Sequence, residues 1–186
     1  MNVLLDAGAD TESRDVDGCT ALHYATKGAH LGVVSILLDR GADVNAREKT
    51  GKTALHFAAT GDILRSATEE RVAAEGPAQN GSDHPALCPR PNIEVARALI
   101  NGGAHANCQD DDGNQPLHVA AFHEAEEIAR LLLAAGVDPI CSNRMGRVPV
   151  DGIGTNSQLS NSPARRERVR QLLGASVVVT TAGMPK

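Results

Sequence analysis

Apolar residues along this chain fall into short clusters at i, i+3 and i+4, each closed by a glycine. Val34, Leu37 and Leu38 run up to Gly41; Ile128, Leu131, Leu132 and Leu133 run up to Gly136; Val169, Leu172 and Leu173 run up to Gly174. That spacing places one apolar stripe on one face of a helix with 3.6 residues per turn. The glycine marks a helix stop, where a left-handed residue is wanted and no Cβ obstructs it. Ahead of the first such cluster stands a second, shorter segment, Gly18-Cys19-Thr20-Ala21-Leu22-His23-Tyr24-Ala25. Gly18 reads as a turn residue with positive φ, and Thr20 as an N-cap whose hydroxyl takes a free N–H of the first turn. The predicted unit is turn, helix, helix, glycine stop.

The unit recurs. The turn glycines Gly18, Gly51, Gly113 and Gly146 are spaced by 33, 62 and 33 residues, and the stops Gly8, Gly41, Gly103 and Gly136 repeat those spacings. The longer interval exceeds the period by 29 residues, so one repeat carries an insertion. Thr20-Ala21-Leu22-His23-Tyr24-Ala25, Thr53-Ala54-Leu55-His56-Phe57-Ala58 and Gln115-Pro116-Leu117-His118-Val119-Ala120 share one pattern. With a 33-residue period, this pattern resembles the ankyrin repeat. The resemblance implies an all-α solenoid of stacked helix-turn-helix units with hairpin fingers. It does not by itself name a partner.

The array is expected over residues 1–174: a partial repeat at 1–14, repeats at 15–47, 48–109 and 110–142, and a degenerate final repeat at 143–174. Met1 to Asp10 supply a second-helix stripe (Val3, Leu4, Leu5) without its first helix, so the chain is read as a fragment of a longer array, with a half-repeat cap as the alternative. The insertion, about residues 62–91, pairs a helix-prone start with a stretch rich in Gly and Pro, and reads as a loop. The glycine that normally closes the first helix at the place of Ala29 stands instead at Gly28, and a turn shifted by one residue is expected. Glu124 takes the equivalent place in the third repeat and is expected to loosen that turn. In the final repeat Val148-Pro149-Val150-Asp151 replaces the Thr-Pro-Leu-His start; in the family, aspartate in the histidine place is familiar in final repeats. Ser162-Pro163 reads as an N-cap with proline at the first helical position. Arg165, Arg166, Arg168 and Arg170 are expected to face water, and residues 175–186 to form a flexible tail.

Composition narrows the function. Three aromatics and no Trp in 186 residues make a weak globular core, which a solenoid tolerates because each repeat packs only on its neighbours. A net charge of −5 argues against general nucleic-acid or anionic-membrane binding. No apolar run reaches membrane-spanning length, and the start lacks signal-peptide features. A monomer in the cytoplasm or nucleus is expected. Cys19, Cys88, Cys108 and Cys141 fit no common zinc spacing and are read as free thiols.

Seven histidines invite a catalytic or metal reading. Three of them, His23, His56 and His118, hold one recurring place. The resemblance implies a structural role there, shared with Thr20, Thr53, Gly41, Gly103 and Gly136. His84 and Cys88 lie four apart in the insertion, where a Cys–His pair could be nucleophilic, but a loop gives it no preorganisation. The chain is therefore read as a non-enzyme with no cofactor and no metal site; an enzyme using His84 and Cys88 is the distant alternative, and a fragment whose activity lies elsewhere is the nearer one.

What remains is surface. In ankyrin arrays partners bind on the fingers and on the exposed side of the first helices. Carried onto this sequence, the finger residues are Arg14, Asp17, Arg47, Lys49, Lys52, Asp111, Asp112, Asn114, Arg144 and Arg147. The first helices add Tyr24, Lys27, Phe57, Thr60, Phe122 and His123. Tyr24 and Phe57 are open to a core reading, and Phe122 is the aromatic expected to be exposed. Finger charge alternates along the array. The acidic third finger, Asp110 to Asp112, is expected to meet a basic segment of a protein partner, with Phe122 supplying affinity.

Overall fold

The computed structural model describes residues 6–60, 91–155 and 163–182. The stripe at Val3 to Leu5, the insertion with His84 and Cys88, and the Ser162 cap lie outside the described residues. Regular structure among the described residues is helical: α1 (Ala21–Lys27), α2 (Leu31–Asp39), α3 (Ala54–Ala58), α4 (Pro91–Asn101), α5 (Pro116–Phe122), α6 (Glu126–Ala134), a 3-10 turn (Pro149–Gly152) and α7 (Pro163–Ala182).

Each repeat pairs a short first helix with a longer second one. The first helices α1, α3 and α5 and the 3-10 turn form one row; α2, α4, α6 and α7 form the other, and among the described residues the main contacts of each element are with its partner and its neighbours. The apolar stripes meet between the rows. Val34, Leu37, Val95, Leu99, Leu132 and Val169 are fully enclosed there, against Leu55 and Leu117 from the first helices. The stripe positions are buried because every second helix presents one face to two rows at once.

All eight recurring glycines have positive φ, from +72° to +90°. The inter-helix turns correct the sequence reading. Gly28 has φ −84°, and Ala29 takes the left-handed conformation at φ 53°. The turn is not shifted: the solenoid fixes its geometry, and alanine accepts the strain. Glu124 does the same at φ 54°, so its turn matches the others and is not looser. Two further expectations change at the C-terminus. Helix α7 runs through Gly174 to Ala182, because that glycine is met in a helical turn with no left-handed stop. Arg166 and Arg168 do not simply face water; they pair with Glu124 and Glu126 on the preceding repeat, at 2.8 Å and 2.7 Å.

Candidate binding groove

Each finger is closed by its own side chain. Asp15, Glu48, Asp110 and Asn143 all stand three residues before a turn glycine, and each accepts backbone N–H bonds from residues two and four further on. Asp15 Oδ1 takes Asp17 and Cys19 at 2.9 and 2.8 Å; Glu48 takes Thr50 and Lys52, both at 3.0 Å. Asp110 Oδ1 takes Asp112 and Asn114 at 3.0 and 2.8 Å, and Asn143 Oδ1 takes Met145 and Arg147, both at 3.0 Å. An acceptor at this place ties the backbone into an Asx-like turn. Sequence reasoning missed this series, although its spacing repeats that of the glycines. Burial pushes the Glu48 carboxyl up, but hydrogen bonds from Thr50 and Lys52 outweigh it and hold it below its ordinary range. Adjacent fingers are linked by backbone bonds from Lys49 N–H to Asp17 O (2.9 Å), Asp111 N–H to Thr50 O (3.0 Å) and Arg144 N–H to Asp112 O (3.0 Å).

The recurring histidines connect finger to helix. The N-cap amides of Thr20, Thr53 and Gln115 donate to Nδ1 of His23, His56 and His118 at 3.1–3.2 Å. The Thr20 and Thr53 hydroxyls lie 3.0 Å from the same nitrogens. On the far side of the ring, Nε2 of His56 and of His118 donates to the carbonyls of Asn114 (3.0 Å) and Arg147 (3.1 Å) in the next finger. These bonds fix the proton on Nε2 and a neutral ring. His23 faces the equivalent Lys52 carbonyl, but its Nε2 is enclosed without a bond of good geometry. Burial, the largest cause, lowers the pKa of all three histidines. In the degenerate repeat Asp151 Oδ2 replaces the imidazole and accepts from Val148 N–H at 2.9 Å.

Fingers and first helices together wall a groove of about 330 Å³ across the second, third and fourth full repeats. Eight of the surface candidates line it: Lys52, Phe57, Thr60, Asp112, Asn114, Phe122, His123 and Arg147, joined by Val119, Pro149 and Thr155. Phe57 is half-buried and meets His23 edge-on at 5.7 Å. Phe122 is 38% exposed and stands edge-on to His123 at 5.1 Å. Burial lowers the His123 pKa.

The remaining candidates lie off the groove. Tyr24 is 54% exposed, more than Phe122, and its hydroxyl donates to Asp15 Oδ2 at 2.5 Å. That bond raises the tyrosine pKa to about 12. Tyr24 is therefore not core. Arg14 donates to the Arg47 carbonyl at 2.6 Å, one finger along. Arg47 in turn faces Asp111 at 3.6 Å. Asp17, Lys27, Lys49 and Arg144 are exposed. The acidic third finger is weaker than its sequence suggested. Asp110 is buried and occupied by its own turn, and Asp111 faces Arg47. Asp112 alone keeps a carboxylate open to the groove.

Among the described residues no group of His, Cys, Asp and Glu could hold a metal ion, and no helix is long and apolar enough to cross a membrane. Cys19, Cys108 and Cys141 are free thiols.

Two family models match: ankyrin repeats (3 copies) over residues 1–67 and ankyrin repeats (many copies) over residues 86–133. Similar proteins include the Caenorhabditis elegans ankyrin repeat and LEM domain-containing protein 1 homolog, 41% identical over 56 residues, which is 30% of this chain and 8% of that protein. Protein fem-1 homolog C of Danio rerio is 34% identical over 76 residues, 41% of this chain and 12% of the relative. The mouse nuclear factor NF-kappa-B p105 subunit is 43% identical over 53 residues, 28% and 6% respectively. The chain thus spans a small part of the length of each of these relatives. Its 33-residue period, its two rows of helices and these matches agree: the chain belongs to the ankyrin-repeat family.

Proposed function

We propose that this chain is a protein-binding module with no catalysis of its own, and that its partner docks in the groove between the fingers and the first helices. Ankyrin repeats are protein–protein interaction modules. The observation that carries the site is the groove itself, where side chains from three successive repeats converge on one concavity. Its walls combine Phe57, Val119 and Phe122 with polar groups on the finger side. Half-exposed aromatics beside fixed polar groups have the character of binding hot spots. The scaffold behind them is rigid, since the finger turns and the histidine bonds are made before any partner arrives, and preorganisation of this kind lowers the cost of binding.

A photo-crosslinking amino acid at position 122 should capture a protein partner from cell lysate. The same group at Ser35, exposed on α2, should not. Capture from Ser35 and none from position 122 would place the partner on the other face.

A further inference from the structure

The charges along the groove identify the chemistry of its occupant. Lys52, Asn114 and Arg147 each directly follow a turn glycine, so they hold one register position on successive fingers and form a row along the groove. Among the described residues neither Lys52 nor Arg147 has an acidic partner at ion-pair distance, in contrast to Arg47, whose guanidinium faces Asp111. Asp112, from the finger between them, faces the same space. The groove therefore offers a cation at each end, an anion in the middle, and an apolar wall of Phe57, Val119 and Phe122.

We propose that the groove takes an extended segment of a partner protein bearing two acidic residues about six positions apart, with an apolar, non-acidic residue between them. This rests on the groove being the docking site. The spacing follows from the fold. Lys52 and Arg147 are two repeats apart, about 20 Å at the ~10 Å separation of packed helices. An extended chain rises about 3.3 Å per residue, so about six residues cover that span. Asp112 opposes an acid at the centre, because like charges brought together at an interface are unfavourable. The apolar residue seats on the aromatic wall, and the terminal acids set register and association rate.

The test uses a displayed library of random peptides of about 12 residues, long enough to span the groove, panned on the full chain. Enriched peptides are expected to carry Asp or Glu at a separation of about six, and to lose about tenfold or more in affinity against Lys52→Gln combined with Arg147→Gln. Each single variant should lose less, and binding should weaken with salt. Enrichment of basic peptides would overturn the charge assignment and leave the groove reading intact. Peptides that bind the parent and Phe122→Ala equally would overturn the groove reading itself, and the absence of any enrichment would overturn both. Unchanged melting of the variants, whose contributions to the fingers come through backbone atoms, separates lost binding from lost folding.

Discussion

Arg166 Nε lies 2.8 Å from Glu124 Oε1, and this one ion pair joins the strained inter-helix turn of the third repeat to the C-terminal helix. Its two ends are not equivalent. The Glu124 side chain is 1% exposed, while that of Arg166 is 27% exposed. Removing the arginine leaves a carboxylate buried without its counter-charge; removing the glutamate leaves an arginine that still reaches water. Breaking a fully buried pair from one side costs about 3–5 kcal/mol. Arg166→Ala is expected to cost about 2 kcal/mol or more, given its partial exposure. Glu124→Gly is expected to cost less, because it also removes a left-handed non-glycine residue, worth about 1–2 kcal/mol. Urea melts of both variants check the order, and a larger loss in Glu124→Gly would show that the carboxylate is more than a tie for α7.

Ala29 gives a cleaner test of the same strain. It sits at φ 53°, a conformation that glycine adopts without a Cβ penalty. Ala29→Gly removes about 1–2 kcal/mol of left-handed strain and adds about 0.4–1 kcal/mol of unfolded-state entropy. A net gain of about 0.5–1 kcal/mol is expected in denaturant melts. A loss would mean that the methyl group contributes packing worth more than the strain it causes.

Leu55 and Leu117 are both fully buried, at the interfaces between first helices and the second-helix stripes. Leu55→Ala and Leu117→Ala should each cost about 2–5 kcal/mol. Equilibrium unfolding measures the loss directly. A change below about 0.5 kcal/mol is the size found for exposed positions, and would contradict this burial.

The repeat register was legible because it rests on two glycine series and a helix-start pattern, each set by local backbone chemistry. Leu22, Val34, Leu37, Leu55, Leu99, Leu117 and Leu132 all fall inside, where the periodicity puts them. Legibility ended where a repeat imposes its geometry on a residue unsuited to it. Ala29 and Glu124 adopt left-handed backbone because the stacked helices on both sides determine the turn, and local preference pointed to a shifted or looser one. Long-range pairing was also out of reach. Nothing local says that Arg166 and Arg168 meet Glu124 and Glu126; the approach of Arg47 to Asp111, by contrast, follows the alternation of charge from finger to finger. The finger acceptors Asp15, Glu48, Asp110 and Asn143 could have been found, since their period matches the glycines. They were obscured by having three different residue types in four places.

The histidines predict how stability depends on pH. His23, His56, His118 and His123 are held below their ordinary value of 6.5, chiefly by burial. The folded chain therefore binds their protons less readily than the unfolded chain does. As pH falls below about 6.5, the unfolded state gains protons first and stability drops; above that value the effect is absent. Each histidine contributes a slope of at most about 1.4 kcal/mol per pH unit while its two states differ in protonation. The carboxylates whose pKa is lowered, Asp15, Glu48 and Glu126, act in the same direction but only nearer their ordinary values of 3.8 and 4.5. The interval from pH 6.5 to about 5.5 thus reports mainly on the imidazoles. Urea midpoints are expected to be level between pH 8 and 7 and to fall between 6.5 and 5.5, with NMR showing His56 neutral, its proton on Nε2, in the folded chain. Midpoints that rise on acidification would mean that the rings are charged in the fold. In that case the N-cap amides of Thr20, Thr53 and Gln115 would have no acceptor at Nδ1, contrary to the bonds on which the finger-to-helix connection depends.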